Sequence, residues 1–333
     1  MLSGDVMSAI RLAMFSLLAA VVAAATASAA TAQTFPSRPI TIVVPNPPGG
    51  ITDIIARTLA ARLGETWKQQ VIVENRPAGA GTVGIGSVAK AAPDGHTLLV
   101  AADSAFVTAP HSHGKLPYDP LNDFAPITGL GISPQALIVN PSVPAKSLVE
   151  LVALGKQKPG TLNYGTFGVA TSGHLNIVLI ESLTGAKFTP IHYRGAAPGL
   201  NDTIAGHIQM MIVSIGLVVQ PWQAGKLRVL GFGSSKRIER FPEVPTLAES
   251  GLPGYEAGSW YGLVAPKGTP REIVDKLNAE ARRVLEDPQT RERVLEPSFI
   301  FSIASSPDDF AERMKRDSVK WGKVIRDANI KAE

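Results

Sequence analysis

A short apolar segment at residues 41–44 runs directly into a turn of prolines and glycines, and this junction constrains the fold more than any other feature. The turn reads Pro-Asn-Pro-Pro-Gly-Gly over residues 45–50, and apolar residues then recur at helical spacing up to Leu63. The pattern predicts a strand, a tight turn and a helix in immediate succession. The first N–H groups of such a helix lack an intrahelical acceptor and carry partial positive charge. The unit therefore predicts a cradle for a carboxylate or phosphate.

Four residues of this unit are candidates for the cradle itself. Gly49 and Gly50 let an anion approach the backbone closely. Thr52 and Asp53 follow at positions typical of an N-cap or a first helical turn. Because a carboxylate repels an anion, we expect Asp53 to cap its helix or to hold a bridging water rather than to touch the ligand.

Strand-like and helix-like segments alternate along the rest of the chain. Strands are predicted at residues 40–44, 71–74, 97–101, 136–139, 163–165, 187–191, 210–212 and 229–233, and helices at 147–156, 173–183, 199–205 and 271–285. Such alternation predicts a mostly parallel sheet with helices on both faces, whose ligands bind beyond the carboxyl ends of the strands. About 300 residues suit two domains. The Pro- and Gly-rich stretches 129–134 and 231–245 are the predicted crossings between them.

The N-terminal segment predicts export. An apolar stretch over residues 12–25 follows Arg11, and small residues in the pattern required by signal peptidase follow it. The stretch is too short and too rich in alanine for a spanning helix. We therefore expect a signal peptide over residues 1–32, cleaved before Gln33 or Ala30.

Composition excludes several kinds of site. The chain has no cysteine, which excludes disulfides, thiolate metal sites and a thioether-linked lipid anchor. Its net charge of +4 comes from scattered basic residues, which favours anionic ligands over nucleic acid. His111 and His113 form a pair without the further ligands of a metal site, so we expect no metal or other cofactor.

Two motifs resemble enzyme signatures but depart from them. Residues 79–84 have the glycine spacing of a dinucleotide-binding loop, but the preceding turn is too long and the nearest acid, Asp94, lies in a Pro-Asp-Gly turn. We interpret them as a Gly-rich helix start. Ser172 and His174 lie close together but lack the leading glycine of a nucleophile elbow. A periplasmic α/β hydrolase that uses this pair remains the alternative function.

The same stretch fits a second cradle better. Thr171 and Ser172 stand between a Gly- and Thr-rich loop at residues 165–168 and a helical run. Their hydroxyls can donate to a ligand oxygen or cap their own helix. Residues 193–199 form a third candidate, again from a strand end to a helix start.

Seven motifs follow one another in order between Pro45 and Glu256. They are P-x-P-P-G-G-x-T-D from Pro45, E-N-R-P-A-G-A-G from Glu74, A-A-P-D-G-H-T-L-L from Ala91, L-P-Y-D-P-x-N-D-F from Leu116, Y-R-G-A-A-P from Tyr193, A-G-K-L-R from Ala224 and V-P-T-L-A-E-S-G-L-P-G-Y-E from Val244. Together they resemble the Bug or TctC family of extracytoplasmic solute-binding proteins of tripartite tricarboxylate transporters.

The resemblance implies an α/β periplasmic binding protein, similar to type II, with two lobes. Each lobe would be a mostly parallel sheet flanked by helices, hinged by crossing strands, with residues 33–134 plus 236–333 in lobe 1 and 135–235 in lobe 2. It implies a receptor and not an enzyme, which captures a small carboxylate in the interlobe cleft for uptake or sensing in the periplasm. The partners would be that ligand and the two membrane subunits of a transporter, not nucleic acid, and we expect a monomer.

Carried over motif by motif, the resemblance implies ligand contacts from both lobes. Lobe 1 would contribute Pro48, Gly49, Gly50, Thr52, Asp53 and the loop of Asp103, Ser104 and Ala105. Lobe 2 would contribute Thr166, Thr171, Ser172, His174, Gly195, Ala196 and Ala197.

Two departures from the family pattern bear on the ligand. Residues 104–106 replace a loop that is often rich in threonine or serine, and Val213 stands where members often have an aspartate. A buried ammonium without an acidic partner is costly, so we expect a carboxylate without an amine, either a dicarboxylate or an aromatic acid. Asp53 or Asp103 could substitute for the missing acid. Apolar walls are predicted at Phe106, Phe167 and Trp260, and a second anion contact at Arg194.

Overall fold

The computed structural model describes residues 35–79 and 81–331. The chain falls into two units, Met1–Ser37 and Arg38–Glu333, and all that follows concerns the second. The predicted signal peptide lies outside the described residues. Within the described ranges, no helix combines the length and the apolar character needed to cross a membrane.

The strands of the described chain pair into one curled sheet. They are β1 (Ile40–Val44), β2 (Val71–Asn75), β3 (Thr97–Ala102), β4 (Phe124–Val139), β5 (Asn163–Thr166), β6 (Thr189–His192), β7 (Met210–Ser214), β8 (Arg228–Phe232) and β9 (Gly258–Pro266). Their order is β2-β1-β3-β9-β4-β7-β5-β6, with β8 also paired to β4.

Helices connect these strands and flank the sheet. They are α1 (Ile51–Trp67), α2 (Thr82–Ala89), α3 (Ala109–Ser112), α4 (Leu148–Gln157), α5 (Ser172–Thr184), α6 (Ala196–Ala205), α7 (Ile215–Gln223), α8 (Arg271–Glu286), α9 (Pro288–Thr290) and α10 (Pro307–Asp327). Two π-helical turns lie at Ser104–Thr108 and Arg291–Leu295. α2 starts at the glycines that resemble a dinucleotide loop, which confirms their interpretation as a helix start.

Strand β4 divides the sheet into two halves. Its residues 124–134 pair with β9 in the first half, together with β1, β2 and β3. Its residues 135–139 pair with β7 and β8 in the second half, together with β5 and β6. The stretch 129–134, predicted as a crossing between domains, is part of a continuous strand, and a bulge between Gly129 and Gly131 accommodates its glycines.

Each half is mostly parallel, as predicted. β1 pairs in parallel with β2 and β3, and β5 with β6 and β7. β9 pairs antiparallel with β3 and β4, and β4 pairs antiparallel with β7 and β8. Among the described strands, β9 is thus the reversed strand of the first half and β4 that of the second. The predicted α/β fold class is confirmed.

The segment between β8 and β9 packs on the second half. Ile238, Phe241 and Val244 join a cluster on one face of that half, and Leu252 and Tyr255 join a cluster on the other. The predicted division assigned residues 236–257 to lobe 1. The apolar side chains of residues 236–257 fill clusters of the second half. This segment therefore packs on the second half, whereas the prediction placed it in lobe 1.

Candidate functional site

A cavity of about 230 Å3 lies between residues of the two halves. It is lined by Asn46, Thr52, Ala102, Asp103, Ser104, Thr108, Phe167, Thr171, Ser172, Leu175, Ser259, Tyr261 and Trp321. Segments that follow β1, β3 and β5 all contribute to it, as expected for ligands that bind beyond the carboxyl ends of strands. The first and second predicted cradles therefore meet at one space.

The turn after β1 forms the start of α1. Gly50 is the N-cap residue of α1, and Gly49 adopts φ +88°. No side chain caps the first-turn N–H groups of this helix, and a Cβ added at either glycine would meet no atom within 4 Å. Pro48, Gly49 and Gly50 are exposed and lie outside the cavity wall, whereas Thr52 is part of it. The first-turn amides of α1 are therefore open to an anion.

Asp53 holds this turn in place. Its side chain is 3% exposed and accepts a hydrogen bond from the N–H of Gly49 at 2.9 Å. Arg57 Nε and Asn75 Nδ2 also donate to it, each at 2.9 Å. Burial acts to raise the pKa of Asp53, but these hydrogen bonds outweigh it and leave that pKa lowered. Asp53 neither caps α1 nor lines the cavity, so it acts on the site through Gly49.

The loop after β3 brings a buried carboxyl to the cavity. Asp103 is 5% exposed, and its Oδ1 accepts a hydrogen bond from the N–H of Ser104 at 2.9 Å. Burial raises the pKa of Asp103 to about 7, although N–H donation acts in the opposite direction. Ser104 also lines the cavity. Ala105 does not: it packs against the core, and its carbonyl accepts a hydrogen bond from the Tyr118 hydroxyl at 3.2 Å.

Thr171 and Ser172 form the start of α5, as predicted, and neither caps it. Thr171 is the N-cap residue, but its hydroxyl donates to the carbonyl of Gly168 at 2.7 Å. Ser172 Oγ accepts hydrogen bonds from Gln135 Nε2 at 2.8 Å and from Ser259 Oγ at 3.0 Å. Since Ser172 accepts both, its own proton can be donated to a ligand.

Several contributors to this site were missed from the sequence, among them Gln135, Ser259 and Tyr261. Gln135 of β4 accepts a hydrogen bond from Asn176 Nδ2 at 2.9 Å, so it links the crossing strand to α5. Ser259 and Tyr261 reach the cavity from β9. Strand β9 was not predicted, although the apolar run at residues 260–265 is typical of a buried strand.

Thr166 and His174 lie behind the loop rather than in the cavity wall. The Thr166 hydroxyl is 2.8 Å from His192 Nδ1, and the Ala170 N–H donates to His174 Nδ1 at 3.2 Å. Burial, together with the nearby His192, lowers the pKa of His174 to about 4. Both residues therefore support the loop between β5 and α5, and His174 is neutral at ordinary pH.

The third predicted cradle is not part of the cavity wall. Gly195 is the N-cap residue of α6 at φ +110°, with free space where a Cβ would stand. Gly195, Ala196 and Ala197 are not among the residues of the cavity wall. The structure thus brings the first and second cradles together but not the third.

The hydrolase alternative lacks its geometry. Ser172 is bonded to Gln135 and Ser259, whereas His174 accepts from Ala170. No hydrogen bond joins Ser172 to His174 among the described residues, so no base is placed to activate that hydroxyl.

The predicted apolar walls are only partly right. Phe167 lines the cavity, together with Leu175 and Trp321. Phe106 and Trp260 instead stack on each other in the core, with ring centroids 6.0 Å apart. Arg194 is exposed and stands outside the cavity wall, and Val213, 1% exposed, belongs to a core cluster. Val213 therefore does not select the ligand.

A larger groove of about 890 Å3 lies apart from this cavity. Ile132 and Pro134 of β4 line it, together with residues 233–240 and the segment around Phe299. None of the predicted site residues contributes to it.

Curated proteins from several bacteria are similar to this chain over most of its length. Residues 55–330 match the family described as the tripartite tricarboxylate transporter family receptor, TctC. A UPF0065 protein from the tcbD-tcbE intergenic region of Pseudomonas sp. strain P51 is 37% identical over 95% of this chain and 94% of its own length. Protein BugT of Bordetella pertussis is 34% identical over 92% of this chain and 94% of its own length.

Solved structures agree with these matches. The structure of R. palustris Rpa4515 with adipate matches this chain with a TM-score of 0.76 and 33% sequence identity. The match covers 89% of this chain and 99% of the Rpa4515 chain. MatC from Rhodopseudomonas palustris with bound malate has a TM-score of 0.72 and 33% identity, over 87% of this chain and 100% of its own.

Proposed function

Since the chain belongs to the TctC family, the solute-binding receptors of tripartite tricarboxylate transporters, we propose that it binds a small carboxylate in the cavity described above. It is a receptor and not an enzyme. The observation that carries the proposal is the meeting of two helix starts, at Thr52 of α1 and Ser172 of α5, on one cavity. Helix N-termini attract anions because their first amides are unpaired and carry partial positive charge.

The ligand we propose is a dicarboxylate without an amine. Two helix starts, one from each half, offer one place for each carboxylate. No Lys, Arg or His is among the described residues of the wall. Asp53 is occupied by its own donors and is not available to an ammonium. Rpa4515 and MatC, whose structures hold adipate and malate, are similar to this chain. An aromatic acid is the second candidate, because Phe167 and Trp321 could stack on a ring.

Binding of the ligand requires many contacts, and these come from both halves. A micromolar ligand needs about 8 kcal/mol of binding free energy, whereas one helix start supplies about 0.3 to 2 kcal/mol. The hydroxyl of Ser172 and the amides near Gly50 would add to this, and closure of the halves would remove water. We place the hinge where β4 passes between the halves at Pro134 and Gln135, with the return at Gly258.

The cellular setting follows from the family and the N-terminal sequence. We propose that the signal peptide over residues 1–32 is cleaved on export and that the mature protein acts as a monomer in the periplasm. It would deliver its ligand to the two membrane subunits of a tripartite tricarboxylate transporter, or serve in sensing.

A ligand screen tests the proposal. Purified protein is heated with succinate, glutarate, adipate, malate, benzoate, aspartate or glutamate, and each stabilising acid is then titrated by calorimetry. A dicarboxylate at about 100 times its Kd should raise the free energy of unfolding by about 2.7 kcal/mol. Stabilisation by aspartate and glutamate alone would contradict the amine-free ligand. If no acid stabilises the protein, the proposed function as a carboxylate receptor is wrong. It is also wrong if the protein chemically converts one of the acids.

A further inference from the structure

The cavity wall contains a carboxyl that the proposed ligand should repel. Asp103 lines the cavity at the end of β3 and is almost wholly buried. A dicarboxylate bound here would bring negative charge close to Asp103 in surroundings where water screens little. No cationic side chain stands among the described residues of the wall to offset it.

The groups packed around Asp103 do little to favour its charge. From the loop and from β9, the N–H groups of Ser104 and Trp260 donate to it. From α10, the carboxylate of Asp317 acts against its ionisation, and Arg313 acts for it. The remaining neighbour with a titratable group is Tyr261 of β9, whose pKa is raised by burial and by Asp103.

Arg313 forms a long ion pair with Asp317 and no hydrogen bond with Asp103 among the described residues. Its Nε lies 3.6 Å from Asp317 Oδ2, and the same carboxylate accepts a hydrogen bond from Trp260 Nε1 at 2.9 Å. Asp103 therefore has two backbone donors and no hydrogen bond from a cationic side chain among the described residues.

We propose that Asp103 carries a proton when the ligand is bound and donates it in a hydrogen bond to a ligand carboxylate oxygen. This inference rests on the proposed carboxylate ligand. The proton comes from solvent whenever Asp103 is ionised in the free protein, and it stays on Asp103 in the complex, so binding takes up one proton. Two carboxyl groups that share one proton avoid the repulsion of two charges, as in carboxylate dyads.

In the free protein, the carboxyl of Asp103 ionises in a pH range that binding experiments can reach. Burial raises the pKa of Asp103 to about 7, and Asp317 adds to the rise. Affinity should therefore be nearly constant below neutral pH and should fall above it, by about tenfold per pH unit.

Calorimetry of the intact mature protein tests the inference. The probe is whichever of succinate, glutarate, adipate and malate binds most tightly at about pH 6.5. Between about pH 6.5 and about pH 9, its affinity should fall on the order of a hundredfold. In buffers of different ionisation enthalpy at about pH 8, binding should take up about one proton.

Variants separate this role from a structural one. In Asp103→Asn, the amide oxygen can still accept the two backbone N–H groups and its NH2 can always donate, so binding should persist and lose its pH dependence. Asp317→Asn removes a negative charge, so the fall in affinity should begin at lower pH. Glu181→Gln is the matched control: burial also raises the pKa of Glu181, but its carboxyl binds the Phe188 N–H away from the cavity.

The outcomes are distinct. Affinity that does not change with pH in the parent, or an Asp103→Asn protein that keeps the parent's pH dependence, would overturn the inference while leaving the receptor function intact. A folded Asp103→Asn protein that binds nothing would overturn it as well, because the charge would then be needed. If none of the four acids binds at any pH, the proposed dicarboxylate ligand is wrong, and the inference fails with it.

Discussion

Gly50 is the residue at which the anion site is most easily closed without disturbing the fold. Its φ of −79° suits any residue, and a Cβ added there would have no atom within 4 Å. Gly50→Val should therefore fold with little change in melting temperature, yet fill the space above the α1 amides. We expect binding of the best dicarboxylate from the screen to weaken by at least about a hundredfold, which is about 2.7 kcal/mol.

The matched control is Gly114→Val, another exposed glycine with free space around its Cβ position. Calorimetry measures the affinity of both variants for the dicarboxylate. Parent-like affinity in Gly50→Val would place the anion site away from this turn.

His174 gives the protein a predictable weakness in acid. Burial lowers its pKa to about 4, while the unfolded chain has a histidine pKa of about 6.5. Below that value the unfolded state binds a proton that the folded state refuses, so stability falls as the pH drops from about 6.5 toward 4. The loss from this residue should be on the order of 3 kcal/mol.

Urea denaturation at several pH values measures this loss. His174→Asn keeps an acceptor for the Ala170 N–H and should depend less on pH over that range. His207→Asn, at an exposed histidine, serves as the control. An unchanged acid dependence in His174→Asn would show that other groups cause it.

At the scale of elements, β9 and α10 pack so closely that one added methyl group should destabilise the protein. A Cβ at Gly262 of β9 would stand 2.2 Å from Phe310 Cζ of α10. Gly262→Ala should therefore lower the free energy of unfolding by about 1–3 kcal/mol, the usual cost of overpacking. Gly114→Ala, in open space, should change it little. Equal urea midpoints for the two variants would mean that α10 shifts without cost.

Elements with strong local patterns were predictable from the sequence, and those that depend on tertiary pairing were not. β1 was predicted with the bounds observed, because its β-branched residues stand between turn residues. The first part of β4 was missed because its Gly and Pro residues disfavour strands unless bulges and partners accommodate them. Helix α7 was missed too, and it contains Pro221.

The same distinction separates the two kinds of site residue. The strand-to-helix junctions that hold Thr52 and Ser172 are local in sequence, so the rule of unpaired helix amides found them. Gln135 and Ser259 come from the crossing strands, and their places depend on pairing between distant segments. The sequence also predicts Ala196 at a helix start, but only the fold shows that this residue does not line the cavity.

At the scale of the whole molecule, the two halves are joined through β4 and enclose the cavity between them. We expect a saturating dicarboxylate to close them by rotation about that strand, as in other hinged binding proteins. Small-angle X-ray scattering should show a smaller radius of gyration with ligand, and a smaller decrease for Gly50→Val at the same ligand concentration. A parent protein whose radius stays constant at saturation would exclude closure of this kind.

Gln135 is the first residue of the second half along β4, and it also holds the Ser172 hydroxyl at the cavity. One side chain thus stands at the proposed hinge and also positions the hydroxyl of Ser172. If this receptor is retargeted, for instance as a fluorescent biosensor for another acid, we therefore expect a change at Gln135 to alter its resting conformation as well. Selectivity and the baseline signal of such a sensor cannot be tuned independently at this position.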